Sequence, residues 1–167
     1  MSQTDPTAST THAPRIERTW LAWGAFFCGT AVVCGAFAAH GLGPRMLELY
    51  GDVTKEIAGE TIPGPLKYLA DFKTAAEYQM THGLALLFLG LLSSQRRTRW
   101  VAIAGWSFVI GVLLFSGSLY VLVLTGLTKL GMITPIGGMA FLVGWVALLI
   151  DLLLGPPRQT PGSSRAD

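Results

Sequence analysis

Charge is scarce in this chain: Asp, Glu, Lys and Arg make up only 13% of its 167 residues. The net charge of +2 comes from 12 basic and 10 acidic residues, and no basic run exceeds the Arg96, Arg97, Arg99 cluster. That balance gives a nucleic-acid partner nothing to read. Cysteine is nearly absent too. Cys28 and Cys34 lie six positions apart on one apolar stretch, about 9 Å along a helix and too far for a disulfide. They read as small buried hydrophobes and say nothing about the redox compartment. The metal spacings HxxxH and CxxC are missing, as is the nucleophile context GxSxG. No internal repeat is visible, which removes support for an inverted-repeat transporter.

Apolar length is abundant. Residues 20–39, 75–92, 100–125 and 135–154 form four hydrophobic stretches, each near the roughly 17–25 residues a helix needs to cross a hydrocarbon core. A soluble helix keeps a polar face for water, and these do not. They predict an all-α, integral membrane four-helix bundle over residues 15–155. The flanks 1–14 and 156–167 are rich in Ser, Thr and Pro and are expected to be disordered, with His12 a solvated bystander. Arg15, Arg18, the first apolar run and Ala36-Phe37-Ala38 also match the layout of a cleavable signal peptide. The run is long for such a peptide, so a retained first helix is expected. Arg15, Arg18, Arg96, Arg97, Arg99, Arg158 and Arg165 fall on one side of a four-span threading. Positive charge favours the cytoplasm, which predicts a multi-pass protein of the inner (plasma) membrane with both termini inside.

The longest polar segment follows the first stretch. Over residues 44–57, Met46, Leu49, Tyr50, Val53 and Ile57 recur at helical spacing, which predicts a short amphipathic helix at the outer interface. Pro63-Gly64-Pro65 breaks the chain, and a further helix is expected from about Leu66 with a Lys73–Glu77 surface pair. Thr134 and Pro135 read as the cap and first residue of the fourth helix. Gly137, Ala140, Gly144 and Ala147 then form a stripe of small residues, with Asp151 next on it. Such stripes let helix backbones approach closely, so helix packing is the expected role. Ala25/Gly29 and Ala31/Gly35 in the first stretch and Ser107/Gly111 in the third read the same way.

Polar residues gather at corresponding ends of the four stretches. The threading places His40, then Glu77, Tyr78, Gln79 and His82, then Ser116, Ser118 and Tyr120, and finally Thr134 in one outer leaflet. Tyr78, Gln79 and His82 are expected to share a helix face and converge with the others on one polar cluster. Hydrogen bonding between helices is the bland reading, and a pocket for a small ligand or lipid is the sharper one. His40, His82 and Glu77 are metal ligands by type, but no spacing supports a metal, and neither metal nor cofactor is expected. Ser116 and Ser118 have no base placed beside them, so no catalytic residue is assigned.

The motifs GAFAAHG, EYQMTHGLALL, LFSGSLY and TPIGGMAFLVGW stand in this order. They resemble the family known as domain of unknown function 423, small four-span bacterial membrane proteins related to the transmembrane protein 256 group of eukaryotes. The resemblance covers about residues 20–154. It implies a membrane-embedded helical protein of no assigned activity and carries over no catalytic residue. The first loop, especially residues 51–65, is longer than the family pattern. The expected function is that of a non-enzymatic protein packing with membrane lipids, with a membrane protein partner or as a homo-oligomer, and without nucleic acid. The alternative is a small transporter or a ligand- or lipid-binding protein with an outer-leaflet pocket; a lipid-acting enzyme ranks third. Against a transporter, the inner half of each stretch lacks ionisable residues except Asp151.

Overall fold

The computed structural model describes residues 15–93 and 98–154. The two flanks expected to be disordered, and the Arg96 and Arg97 anchor, lie outside the described residues. The elements run α1 (Arg15–His40), α2 (Gly43–Tyr50), β1 (Thr54–Ile57), β2 (Glu60–Pro63), α3 (Gly64–Ser93), α4 (Arg99–Gly111), a π-helical turn (Val112–Ser116), α5 (Gly117–Thr125), a 3-10 turn (Thr128–Met132) and α6 (Thr134–Leu154). The chain is therefore mostly helical. Among the described residues, three segments, Arg18–His40, Arg99–Thr125 and Thr128–Leu154, are long and apolar enough to cross a membrane. The α3 helix is 30 residues long but is not among them, because Glu77, Gln79 and His82 interrupt its apolar sequence.

Glycine decides which helices touch. A Cβ on Gly24 would stand 2.8 Å from the Gly83 carbonyl, one on Gly83 would stand 2.8 Å from the Cys28 sulfur, and one on Gly90 would meet Leu21 at 2.7 Å. These contacts set α1 antiparallel to α3 at a separation only glycine allows. The expected pairs in α1 do not act this way. A Cβ at Gly29 or Gly35 would meet nothing within 4 Å, although Ala31 is buried.

On the other side of the molecule, α6 runs antiparallel to the rod formed by α4, the π turn and α5. Gly144 lies under the Phe108 ring, Gly111 under Phe141, and Gly137 against the Phe115 backbone. Gly137, Gly144, Ala147 and Asp151 are buried, whereas Ala140 is half-buried. At the end of this pair, the Thr98 hydroxyl donates to the Asp151 carboxylate and also accepts the Val101 N–H at 3.2 Å, capping α4. Trp20 of α1 packs on Gly105 and ties the two helix pairs together.

Two apolar cores result. Trp20, Phe27, Leu86, Leu89, Phe108, Phe141 and Leu148 anchor the larger one. Ala38, Leu42, Met46, Tyr50, Tyr68, Phe72, Leu122 and Val123 form the smaller one, under the first loop. Outside them, Phe26, Val33, Leu84, Phe88, Leu113, Val143 and Leu149 are exposed. An apolar exterior of this extent suits hydrocarbon rather than water.

The first loop corrects two expectations. Its helix ends at Tyr50, not at residue 57, and a two-stranded antiparallel hairpin follows, pairing Thr54 with Pro63 and Ile57 with Glu60. The fold is thus not purely all-α. Val53 and Ile57 fall on helical spacing but do not join the helix. Ala58 and Gly59 turn the hairpin at φ of 53° and 86°, the left-handed pair that tight two-residue turns require. Pro63-Gly64-Pro65 separates the hairpin from the next helix, as expected, and α3 begins two residues earlier than Leu66, at Gly64, with Pro65 in the first turn where a missing N–H costs nothing. Only glycine fits there, since a Cβ would lie 2.7 Å from the Val53 carbonyl.

The expected Lys73–Glu77 pair does not form. Both side chains are exposed, and an exposed pair gains too little to hold two long side chains in one geometry. Lys67 instead pairs with Asp71, six residues earlier on α3, and lies 5.0 Å over the Tyr68 ring.

Tyr50 fastens the loop to the helices. Its hydroxyl donates to the Leu122 and Val123 carbonyls at 3.1 and 3.0 Å, in the last turn of α5, where the Leu122 carbonyl also accepts the Gly126 N–H. Its ring stacks on Tyr68 at 3.8 Å. Burial, and secondarily the neighbouring Tyr68, push its pKa above the ordinary phenol value. The folded state therefore favours the protonated phenol. Its contribution is full below the unfolded value of about 10 and is lost as pH rises through the higher folded value. Tyr50→Phe should lower stability by about 1 kcal/mol at pH 8. The gap between the two proteins should narrow at strongly alkaline pH, read from melting in detergent. A constant gap would show that ionisation of Tyr50 is not coupled to the fold.

Candidate functional site

The α3 helix is central, and its polar residues look toward different neighbours. Gln79 faces α1 and α5. Its amide donates to the Phe27 carbonyl at 3.0 Å and the Thr30 hydroxyl at 2.6 Å, and its carbonyl accepts from the Tyr120 hydroxyl at 2.9 Å. One side chain thus joins three helices.

His82 faces α6. Nδ1 lies 2.8 Å from the Tyr78 carbonyl, and Nε2 lies 3.2 Å from the indole nitrogen of Trp145. An indole N–H can only donate, so Nε2 accepts and the proton sits on Nδ1, donated to Tyr78. The ring stacks on Phe141, with centroids 3.5 Å apart and planes within 9°. This imidazole is neutral, buried and fully satisfied, and a metal ion at Nε2 would have to displace Trp145.

The serines also serve the backbone. Ser116 donates to the Ala75 carbonyl at 2.8 Å, linking the π turn to α3. Ser118 shares a 2.9 Å hydrogen bond with Thr134 at the start of α6.

The expected single cluster therefore divides. Tyr78 and His82 share the α6 side of α3, while Gln79 lies on the α1 side, because residues one apart on a helix point about 100° away from each other. His40 joins neither group. It is exposed at the end of α1, near the level where Phe37 meets Phe72, roughly 15 Å along α3 from His82. Nor do all these residues sit near one end. Gln79 stands opposite Phe27 and Thr30, close to the midpoints of α1 and α3.

Between α3 and α6 lies a cleft of about 590 Å³. Tyr78, Phe115, Phe141 and Trp145 wall it, Gly138 leaves room on the α6 side, and Glu77, Thr81, His82 and Leu142 complete its lining. Tyr78 stacks on Phe115 at 4.6 Å. Phe115 belongs to the π turn, where the Gly117 N–H reaches back five residues to Val112. Such turns often occur at functional sites. Tyr78 and Trp145 are each 44% exposed, so the cleft opens sideways along the helices. The walls were not legible as a site, because Phe115, Phe141 and Trp145 read as ordinary apolar residues. The available signal was the spacing of Phe141 and Trp145, four apart and on one face of α6. Among the described residues, no three His, Cys, Asp or Glu side chains are grouped to hold a metal.

Comparison with known families places the chain. The family described as "protein of unknown function (DUF423)" matches residues 34–138. A UPF0382 membrane protein of Staphylococcus aureus is 42% identical over 127 residues, covering 76% of this chain and 88% of that protein. The chain belongs to the DUF423 family. A UPF0382 membrane protein of Haemophilus influenzae is 40% identical over 130 residues, 78% of this chain and 87% of its own length. One from Bacillus subtilis is 34% identical over 134 residues, covering 80% and 94%. No solved structure matches. The DUF423 match contains Gln79, His82, Ser116 and Tyr120, whereas Phe141 and Trp145 lie beyond it.

Proposed function

We propose that this DUF423 protein is a four-span protein of the bacterial plasma membrane with both termini cytoplasmic. It performs no covalent chemistry and holds an apolar or amphiphilic ligand in the cleft between α3 and α6. One observation carries this reading. The buried polar side chains Gln79, His82, Ser116 and Ser118 are each engaged in hydrogen bonds that join or brace helices, while the cleft beside them is walled by aromatic rings. A site built for catalysis would pair a nucleophile with a base; here the Glu77 carboxylate has no nucleophile hydrogen-bonded to it among the described residues, and the cleft presents shape and apolar surface.

The α3 helix supplies the fourth span in this reading, being 30 residues long and antiparallel to α1 along its length. The ends near Trp20, Gly90 and Thr98 then share a side with Asp151, which is the arginine-rich side. Reporter fusions at Gln95 and at the C-terminus should both read as cytoplasmic, and an external signal from either would overturn the threading.

Gly138→Leu tests the cleft. A Cβ at Gly138 meets only the Phe115 ring edge at 3.9 Å, so a leucine can fill the space without moving a helix. Native mass spectrometry of protein released in its own lipids should show a bound small amphiphile on the parent and none on the variant. Equal spectra would remove the cleft as a binding site. The same spectra give the mass of any homo-oligomer.

A further inference from the structure

We infer that the cleft selects a cation: an amphiphile with a single apolar chain and an ammonium head, the head at Glu77 against the Tyr78 ring and the chain along Phe141 and Leu142 toward Trp145. This rests on the cleft being a binding site, as proposed above, and adds the chemistry of its occupant. Among the described residues, Glu77 is the one charged side chain lining the cleft. Its side chain is exposed and forms no ion pair among the described residues, and Lys73, one turn away, does not engage it.

A carboxylate at the edge of an apolar helix surface is costly unless a countercharge accompanies it. Tyr78, Phe115 and Trp145 offer π faces, which attract ammonium groups, most strongly where water is thin. The volume of about 590 Å³ lies within the range of small-molecule sites. Its sideways opening admits a ligand already dissolved in the bilayer. A phospholipid head fits less well, because among the described residues no Lys or Arg lines the cleft to neutralise a phosphate set beside Glu77.

The test uses the full chain in a neutral maltoside detergent and three probes sharing one twelve-carbon chain: dodecyltrimethylammonium, dodecanol and dodecylphosphocholine. Binding is followed by native mass spectrometry and tryptophan fluorescence. Dodecyltrimethylammonium should bind about tenfold more tightly than the other two, the scale of a partly desolvated cation–π contact with a carboxylate. Glu77→Gln should bring the three affinities together, and Gly138→Leu should abolish all of them. Equal affinities in the parent, still lost in Gly138→Leu, would overturn the cation and leave the cleft. Binding that survives Gly138→Leu would overturn the cleft itself. Tightest binding by dodecylphosphocholine would replace the cation with a phospholipid head.

Discussion

Gly137→Ala should destabilise the protein while Gly138→Ala, one residue on, should leave it unchanged or slightly better. At Gly137 the new methyl would stand 2.3 Å from the Phe115 backbone nitrogen and 2.8 Å from its Cα. A backbone cannot rotate out of the way, so α6 would have to move off the π turn. That movement would strain the Ser118–Thr134 bond and the stacking of His82 on Phe141. The cost should be on the order of 1–3 kcal/mol, the usual range for overpacking. At Gly138 the nearest heavy atom is 3.9 Å away, and replacing a helical glycine by alanine in open space is favourable by up to about 1 kcal/mol. Gly144→Ala should fall between the two, because it meets the Phe108 ring at 2.5 Å, and a ring can tilt where a backbone cannot. Thermal melting of the three variants in one detergent gives the order. If Gly137→Ala melts with the parent, α6 does not seat on the π turn as described.

The second large effect is expected at Gln79. Gln79→Leu removes three hydrogen bonds at once and leaves the Tyr120 phenol without its acceptor, while the Phe27 carbonyl keeps the Thr30 hydroxyl at 3.2 Å. Each buried group left unsatisfied costs about 1–3 kcal/mol, so the variant should lose several degrees of melting temperature or fail to accumulate. Tyr120→Phe removes only one of the three bonds and should cost less. The double variant should cost less than the sum of the singles, because both remove the same Tyr120–Gln79 bond. Strict additivity would mean that the two side chains are not coupled.

Apolar length made the helices legible. The stretches 100–125 and 135–154 match Arg99–Thr125 and Thr134–Leu154 almost residue for residue, and 20–39 lies within α1. A long hydrophobic run bounded by Thr98 or by Thr134-Pro135 has few other ways to satisfy its backbone. The hairpin was hidden by a coincidence of spacing. Val53 and Ile57 continue the period of Met46 and Tyr50, yet the chain has already left the helix, and the two short strands between Thr54 and Pro63 carry no alternation strong enough to compete. Gln79 and His82 were legible as buried polar residues, but not their separation into two settings. Period says which residues of α3 share a side; it does not say which neighbour that side meets. Trp145 shows the same limit from across the gap. Its indole completes His82, and only the register of α6 against α3 reveals it.

The π turn has a consequence for how this helix can change over time. It takes up one residue more than an α-helical turn, so everything after it lags an unbroken α-helix by about 100°, and that lag puts Tyr120 on Gln79 and Ser118 on Thr134. Deleting one residue among Val112, Leu113 and Leu114 would let an ordinary α-turn span the same arc and keep those partners facing each other. Straightening the turn at its present length would rotate them apart: the rod can shed one residue here, but it cannot become evenly wound without doing so.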